Sequence, residues 1–422
     1  MLVWLDRTWG GPAALCLITL FLELGLAASA RADSVFSAQA LGELAPITDM
    51  RGRGMGGVSV AIADRWNVSR ANPATIADVK GFVLHGEMLL ERLSTSDQNG
   101  EDYSAHATSF PWFRLGVELP QLGTFGFGIA PYTIVDYEFA DIDRSSGEPV
   151  TQTFTGNDAL SVLTFSFARR VRPRFDVGVD LDLPIGSYRD IFTTSFPAGG
   201  GYVNTQDSLI VNVDRSPILR LGAAGTVHRR LRVGGAFTLG RDLGIRSEIK
   251  GDIEDPRSVT DADVHLPASL LLGAAYDVDA HWRVAADIGR TWWGSTELDI
   301  GDDPLFTRSN IETRDMTRIG IGAEYQGDRT LETRNIWARI PWRGGYSYTP
   351  WYFRDGYGQE INEHVMSAGA GLPFADTFGM VQVALELGFR GDRAKNGASE
   401  RFFRLGFSLS ARERVPVGRV RE

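Results

Sequence analysis

Histidine offers the most direct route to acid–base or metal chemistry near neutral pH, but the six histidines here, His85, His106, His228, His265, His281 and His364, are scattered along the chain. They show no metal-ligand spacing, and no G-x-S-x-G turn presents a nucleophile. Gly52, Gly54 and Gly57 fit the dinucleotide pattern G-x-G-x-x-G. That pattern holds a phosphate only between a strand and a helix of a parallel sheet, and neither flanks it here. The expectation is therefore no enzyme, no cofactor and no metal. Acidic stretches such as Asp252-Ile253-Glu254-Asp255 and Gly301-Asp302-Asp303 read as solvated loops. Four further charges, Asp287, Glu386, Arg390 and Arg404, stand in segments that are otherwise apolar on one face. Such groups either form ion pairs or receive an anionic headgroup, and the elements carrying them decide where they point.

Those elements belong to an exported chain. An almost wholly apolar run from Gly10 to Ala28 ends in small residues, which is the pattern of a signal peptide over residues 1–32, cleaved after Ala30 or Ala32. The single cysteine, Cys16, falls inside that leader, so the mature chain is expected to hold no thiol. A net charge of −10 without a basic patch argues against nucleic acid as a partner. No later apolar run approaches the ~20 residues a spanning helix needs, so any membrane crossing must be made by strands.

Strands are what the pattern supplies. Leu231, Val233, Phe237 and Leu239 alternate with Arg232, Gly234, Ala236 and Thr238, and Val381, Val383, Leu385, Leu387 and Phe389 alternate with Gln382, Glu386 and Arg390. A period of two places the two sets on opposite faces of a sheet. About 14 such strands run through residues 80–412 without a linker or a composition shift. The third covers residues 122–139 and the eleventh residues 332–349. Tight connections, as at Pro120-Gln121, Arg229-Arg230, Gly327-Asp328 and Ala375-Asp376, alternate with long ones. A soluble sandwich has no reason to segregate loop length, whereas a membrane barrel has short turns on its periplasmic side and long loops outside. Trp282 and Trp292 stand about ten residues apart on one strand, a rise of ~24 Å that matches the apolar band between aromatic girdles. Trp112, Tyr132, Tyr137, Trp342 and Trp351 lie near other predicted strand ends. The fold class expected is an all-β transmembrane antiparallel barrel of a bacterial outer membrane, acting as a monomer among outer-membrane lipids and lipopolysaccharide. Residues 413–422 are expected to form a polar periplasmic tail.

Residues 33–79 do not read as barrel. They carry Gly52, Gly54, Gly56 and Gly57, then the apolar Val58, Val60 and Ile62, and end in Asn72-Pro73-Ala74. Glycine permits tight turns and close backbone approach, so the stretch suits packing inside a confined barrel. Asparagine before proline reads as a turn or helix start. This Gly-rich opening with its Asn-Pro-Ala ending resembles the outer-membrane long-chain fatty acid and aromatic hydrocarbon transporter (FadL/TodX-like) family. The stretches Leu266–Tyr276, Trp342–Tyr348 and Ser367–Gly371 are similar to its middle and late strands. The resemblance implies a 14-stranded barrel whose N-terminal segment forms a plug, or hatch, with hydrophobic small molecules leaving sideways beside a kinked third strand. On that strand Gly126, Gly128 and Pro131 weaken ladder pairing and mark the lateral gate the resemblance implies, with Asn72-Pro73-Ala74 against it. Ligand-lining groups are expected among Val58, Val60, Ile62, Asp287, Glu386, Arg390 and Arg404, the charges serving also to hold plug to wall. The competing readings are a surface-exposed barrel that binds or assembles components of a secretion system, and a general porin, which a plug argues against.

Overall fold

Alternating sequences of this kind cannot leave a sheet edge exposed in lipid, because every unpaired backbone group there costs several kcal/mol, and in the computed structural model the sheet closes on itself. The structure describes residues 34–143, 149–197, 202–251, 258–296, 298, 311–327, 336–374 and 379–413. The expected leader and the tail beyond residue 413 lie outside them, as do the acidic stretches 252–255 and 301–303. Fourteen antiparallel strands form the wall. They are β1 (Phe82–Asp97), β2 (Asp102–Ser109 continuing in Phe113–Leu119), β3 (Gly123–Asp143) and β4 (Val150–Arg172). Next come β5 (Phe175–Ile185 and Ser187–Ser195), β6 (Thr205–Val213 and Ile218–His228), β7 (Leu231–Thr238 and Arg241–Gly251) and β8 (Ser258–Leu266 and Ser269–Asp277). The remaining six are β9 (Trp282–Thr291), β10 (Met316–Tyr325), β11 (Trp342–Arg354), β12 (Glu360–Phe374), β13 (Gly379–Arg390) and β14 (Ala398–Glu413). Closure comes from β14 against β1, in register from Phe82 opposite Glu413 to Asp97 opposite Ala398.

One boundary differs from the sequence reading. The eleventh strand begins at Trp342, not near residue 332, because Ile336–Arg339 forms a single helical turn. The connection it lengthens was expected to be a tight turn at Gly327-Asp328.

Along several strands the face that carries apolar residues reverses part-way up. On the lower part of β7 Phe237 and Leu239 point outward while Ala236 is buried, whereas on the upper part Leu243, Ile245 and Ile249 are buried and Arg246 is exposed. The odd-numbered set thus changes sides across Leu239 and Gly240, where the strand is interrupted. Since the side-chain period is two, one extra residue flips every later side chain. The same shift occurs in β8 at Pro267 and Ala268, in β6 across residues 214–217, and in β3 at Pro131, where the register against β4 also slips. Below the shift the wall presents Phe125, Phe165, Leu221, Leu272, Val284, Ile288, Ile321 and Leu387 outward, a surface that requires lipid. Above it the inward side chains form the largest apolar cluster, including Val135, Tyr188, Val211, Ile245, Val264, Trp293 and Phe353. The level of reversal is therefore where the wall leaves lipid for water. Trp282, Trp292 and Trp342 stay exposed on the outside. Trp112, Tyr137 and Trp351 are buried inside and serve as packing.

Residues 34–79 run through the lumen, and most are buried. A row of wall glycines makes room for them: a β-carbon on Gly320 would lie 2.5 Å from the Gly56 carbonyl oxygen, one on Gly116 2.8 Å from Val68, and one on Gly369 3.0 Å from the Gly54 Cα. On Gly345 it would meet the backbone of Met55 and Gly56. Substituting Gly345→Val is therefore expected to displace the inner segment while the wall persists. Trypsin should then cut at Arg51 or Arg53, where the wild type is protected, with no change in the heat-modifiable migration of the folded barrel. Continued protection would contradict this packing.

Candidate functional site

The inner segment is fixed by local geometry first. Asp49 caps the four-residue helix Met50–Arg53 by accepting from the Gly52 amide at 2.9 Å. The chain then reverses through Gly56 and Gly57, both left-handed at φ +69° and +71°, which only glycine adopts without strain. A β-carbon at Gly56 would stand 2.5 Å from the Tyr346 nitrogen, so the turn lies flat on β11. Gly52 and Gly54 likewise face Thr48 and Gly369 closely. Farther on, the Asn72 side chain accepts from the Ala74 amide at 3.0 Å and opens the 3-10 helix Pro73–Asp78. Its amide donates to the Val60 and Ala223 carbonyls at 2.9 and 3.0 Å.

The lumenal charges then tie segment to wall. Arg53 holds Glu386 through two hydrogen bonds of 3.1 and 2.6 Å, and Arg51 holds Glu324 through two of 3.1 and 2.7 Å. Paired guanidinium–carboxylate contacts of this kind fix direction as well as distance. Asp287 accepts from the amides of Ser59 and Val60 at 2.6 and 2.9 Å. Glu43 sits between Arg390 at 2.7 Å and Arg404 at 3.2 Å. Arg390 also meets Glu400 at 3.0 Å, and Glu400 accepts from the Val35 amide at 2.9 Å. Asp287, Glu386, Arg390 and Arg404 thus all point inward, and each contacts the segment. Burial alone would raise Glu43, but Arg390 and Arg404 reverse this and hold it at about 2. Asp49 has no arginine against it among the described residues; burial, reinforced by Asp64 and Glu87, pushes it up to about 6.

Between segment and wall lies a cavity of about 220 Å³. Leu44, Ala45, Pro46 and Ile47 of the segment and Leu271, Met316, Trp351 and Val365 of the wall give it apolar sides. Arg70 and Arg318 enter it differently from the other arginines. Arg70 donates to the Pro131 carbonyl at 3.0 Å and Arg318 to the Gly57 carbonyl at 2.7 Å, and neither has a carboxylate at ion-pair distance among the described residues. Arg220, by contrast, meets Asp180 and Asp182 at 3.4 and 3.2 Å.

The cavity adjoins an interruption in the wall. β2 and β3 pair only from Phe113 opposite Ile129 down to Leu119 opposite Gly123. Higher up, Asp102–Ser109 of β2 pairs with β1 alone, so β3 has a free edge above Pro131. The inner segment occupies it. Ala45 donates to the Tyr132 carbonyl at 2.9 Å, Glu43 and Leu44 stand opposite Ile134 and Thr133, and the Ser34 amide donates to the Asp136 carbonyl at 3.0 Å.

Several sequence expectations are corrected here. Gly126 and Gly128 pair on both sides, with Gly116 and Ser166 and with Arg114 and Thr164, so the ladder does not break at them; Gly126 makes room for Val68 instead. Of that trio only Pro131 marks the interruption. Asn72, Pro73 and Ala74 pack on β5 and β6 through Gly178 and Gly222, while the contacts with β3 expected of them are made by Val68 and Arg70. Val58 and Ile62 are packed with Met55, Ala61, Ala275 and Ala285, and Val60 presses on Gly234 and Gly273. All three seal the seam and do not line the cavity; of the residues expected to do so, Glu386 and Arg404 do.

A family model described as BamG matches residues 13–208 and 241–414. The chain belongs to the BamG family. This BamG-family barrel also superposes on solved channels. The Ralstonia pickettii toluene transporter TbuX matches with TM-score 0.54 at 15% identity over 88% of this chain and 98% of that one. A Pseudomonas aeruginosa FadL homologue matches with TM-score 0.57 at 14% identity over 88% and 99%. The Pseudomonas putida toluene transporter TodX matches with TM-score 0.50 at 14% identity over 89% and 100%. The likeness is one of fold, and the fold of the BamG-family barrel is that of these FadL/TodX-type channels. No curated protein matches the sequence.

Glu43, Arg70, Tyr132 and Arg318 were not legible as site residues, because each gains its meaning from a partner far along the chain. The two shifted carboxylates give opposite pH responses. The raised Asp49 takes up a proton on docking, so docking strengthens as pH falls from about 6 toward about 4. The depressed Glu43 contributes above its unfolded value near 4.5, and that contribution is lost as pH falls toward about 2. Protease protection of the segment should therefore rise and then fall on acidification. Asp49→Asn, which keeps a capping oxygen, should flatten the rise. An unchanged profile in that variant would contradict the assignment.

Proposed function

We propose that this BamG-family barrel resides in an outer membrane and carries hydrophobic small molecules, among them long-chain fatty acids or aromatic hydrocarbons, to a lateral exit between β2 and β3 at Pro131. The observation that carries this reading is the cavity itself: apolar sides and two guanidinium groups with no carboxylate at ion-pair distance among the described residues, next to the edge of β3 that the inner segment covers. A hydrocarbon chain gains ~0.8 kcal/mol for each CH₂ it buries, and Arg70 and Arg318 suit an acidic head. The apolar cluster above the cavity supports entry from the long-loop side. Release follows when the Glu43–Ala45 stretch leaves the β3 edge, since a site that binds must also let go. The signal peptide over residues 1–32 is part of the same reading. So is the role of residues 33–79 as a plug and of 80–412 as the transmembrane wall.

A second reading, a binding or assembly component, rests on the upper part of β2, whose other edge has no strand partner among the described residues. Such an edge accepts an extended segment of another chain. Stoichiometric copurification of a partner, lost when β2 is shortened above Phe110, would favour it over transport.

Because the mature chain is expected to hold no cysteine, Leu44→Cys with Thr133→Cys makes a clean lock across the exit, the two residues being register partners. Oxidation should abolish uptake of labelled oleate and reduction should restore it. Uptake that ignores the oxidised lock contradicts the lateral exit. Arg70→Gln with Arg318→Gln should weaken oleate uptake about 10- to 100-fold, the equivalent of the ~1.5–3 kcal/mol typical of hydrogen bonds to charged groups, and leave toluene uptake unchanged.

A further inference from the structure

Outside the barrel, at the top of the lipid-facing band, two arginines occupy diagonal positions on neighbouring strands, with no acid at ion-pair distance among the described residues. Arg92 of β1 lies opposite Phe403 of β14, and Arg401, one row higher, lies opposite Ser94. His106 of β2 stands opposite Arg92 on its other side, and Phe389 of β13 stands opposite Arg401. All three basic residues are exposed, and none forms an ion pair with a described residue. Their sequence neighbours Glu91 and Glu400 point inward and are engaged by Arg404 and Arg390. Beyond Phe403 and Phe389, those outward rows hold Leu387, Ser94 and Ser104, the two serines bonding to each other. Leu90 lies one row below Arg92 and Phe403 one row below Arg401, with Leu387 and Phe389 beside them on β13, and all four are exposed apolar groups. Two other outward cations on the wall are paired: Arg290 has Asp315 at 2.6 Å, and Arg246 has Glu248 at 3.4 Å.

Two guanidinium groups above an apolar strip fit an amphiphile with acyl chains below and phosphate above. A doubly charged phosphate accepts from a pair of guanidinium forks better than a carboxylate does. The level matters too, because the strip ends where the outward face turns polar. We infer that Arg92, Arg401 and His106 form an external binding site for the phosphorylated glucosamine headgroup of a lipopolysaccharide molecule, whose acyl chains lie on Leu90, Phe403 and Leu387. The inference rests on the reading of the barrel as an outer-membrane protein with its long loops outward, and it is independent of the cavity.

Binding is measured on the purified full-length barrel in detergent, with bis-phosphorylated lipid A, monophosphoryl lipid A and phosphatidylglycerol as probes. The wild type should prefer bis-phosphorylated lipid A. Arg92→Gln with Arg401→Gln should weaken it at least about tenfold, while Arg246→Gln, which removes an already paired cation, should not. Equal binding by the double variant, no lipid A binding by the wild type, or equal affinity for phosphatidylglycerol would each overturn the site. Heat-modifiable migration and outer-membrane fractionation of the same variants report whether the barrel still forms, so a failure of the lipid site is distinguishable from a failure of the membrane reading. Oleate uptake by the double variant should stay at the wild-type level.

Discussion

A closed wall turns half of its side chains into a lumen with little room for water, so each charge it places there must be met by another part of the chain. Burying a carboxylate or guanidinium without a partner costs more than any single contact recovers. Here the partner is the inner segment. Arg51, Arg53 and Glu43 meet Glu324, Glu386, Arg390 and Arg404, while the amides of Ser59 and Val60 cover Asp287. The wall contributes glycines wherever segment backbone comes closest, at Gly320, Gly345 and Gly369. Segment and wall are thus complementary in shape and in charge, and the cavity is the volume where this complementarity lapses.

That lapse coincides with the two other departures from regular structure. The ladder between β2 and β3 stops at Pro131, and the apolar side of β3, β6, β7 and β8 reverses at the interruptions of those strands. Below the reversal the wall faces lipid and its interior holds ion pairs beside small apolar clusters; above it the inward side chains form the largest apolar cluster. Arg70 bridges these features, since it reaches the cavity and donates to the carbonyl of Pro131.

Much of the architecture was legible in the sequence, because the period-two signal is strong wherever one face meets lipid. Segments such as Val381 to Phe389 announce both their class and their facing, and strand number follows from counting them. The reversal was harder to read: Leu239-Gly240 and Pro267-Ala268 look like ordinary weak points, and only the burial of Leu243 or Val264 reveals that the inside has become apolar. The eleventh strand begins later than its sequence implies, because residues before Trp342 carry no turn signal stronger than that of Pro341. Gly126 and Gly128 looked like breaks since glycine weakens strands, yet the same glycines serve close approach, and one-dimensional reading does not separate these uses. The partners of Glu43 lie about 350 residues away in sequence, as the bonds to Arg390 and Arg404 span 347 and 361 positions. No local pattern carries that pairing.

Release through the wall turns on whether the Glu43–Ala45 stretch, which covers the free edge of β3, yields when the cavity fills. Amide hydrogen exchange, read at Leu44 and Ala45 in the purified barrel with and without saturating oleate, tests it most directly. Exchange at these two amides should become faster with ligand, while the amides of Gly52 and Ala74 and the wall strands stay protected. Unchanged exchange at Leu44 and Ala45, or loss of protection through the whole segment at once, would contradict it.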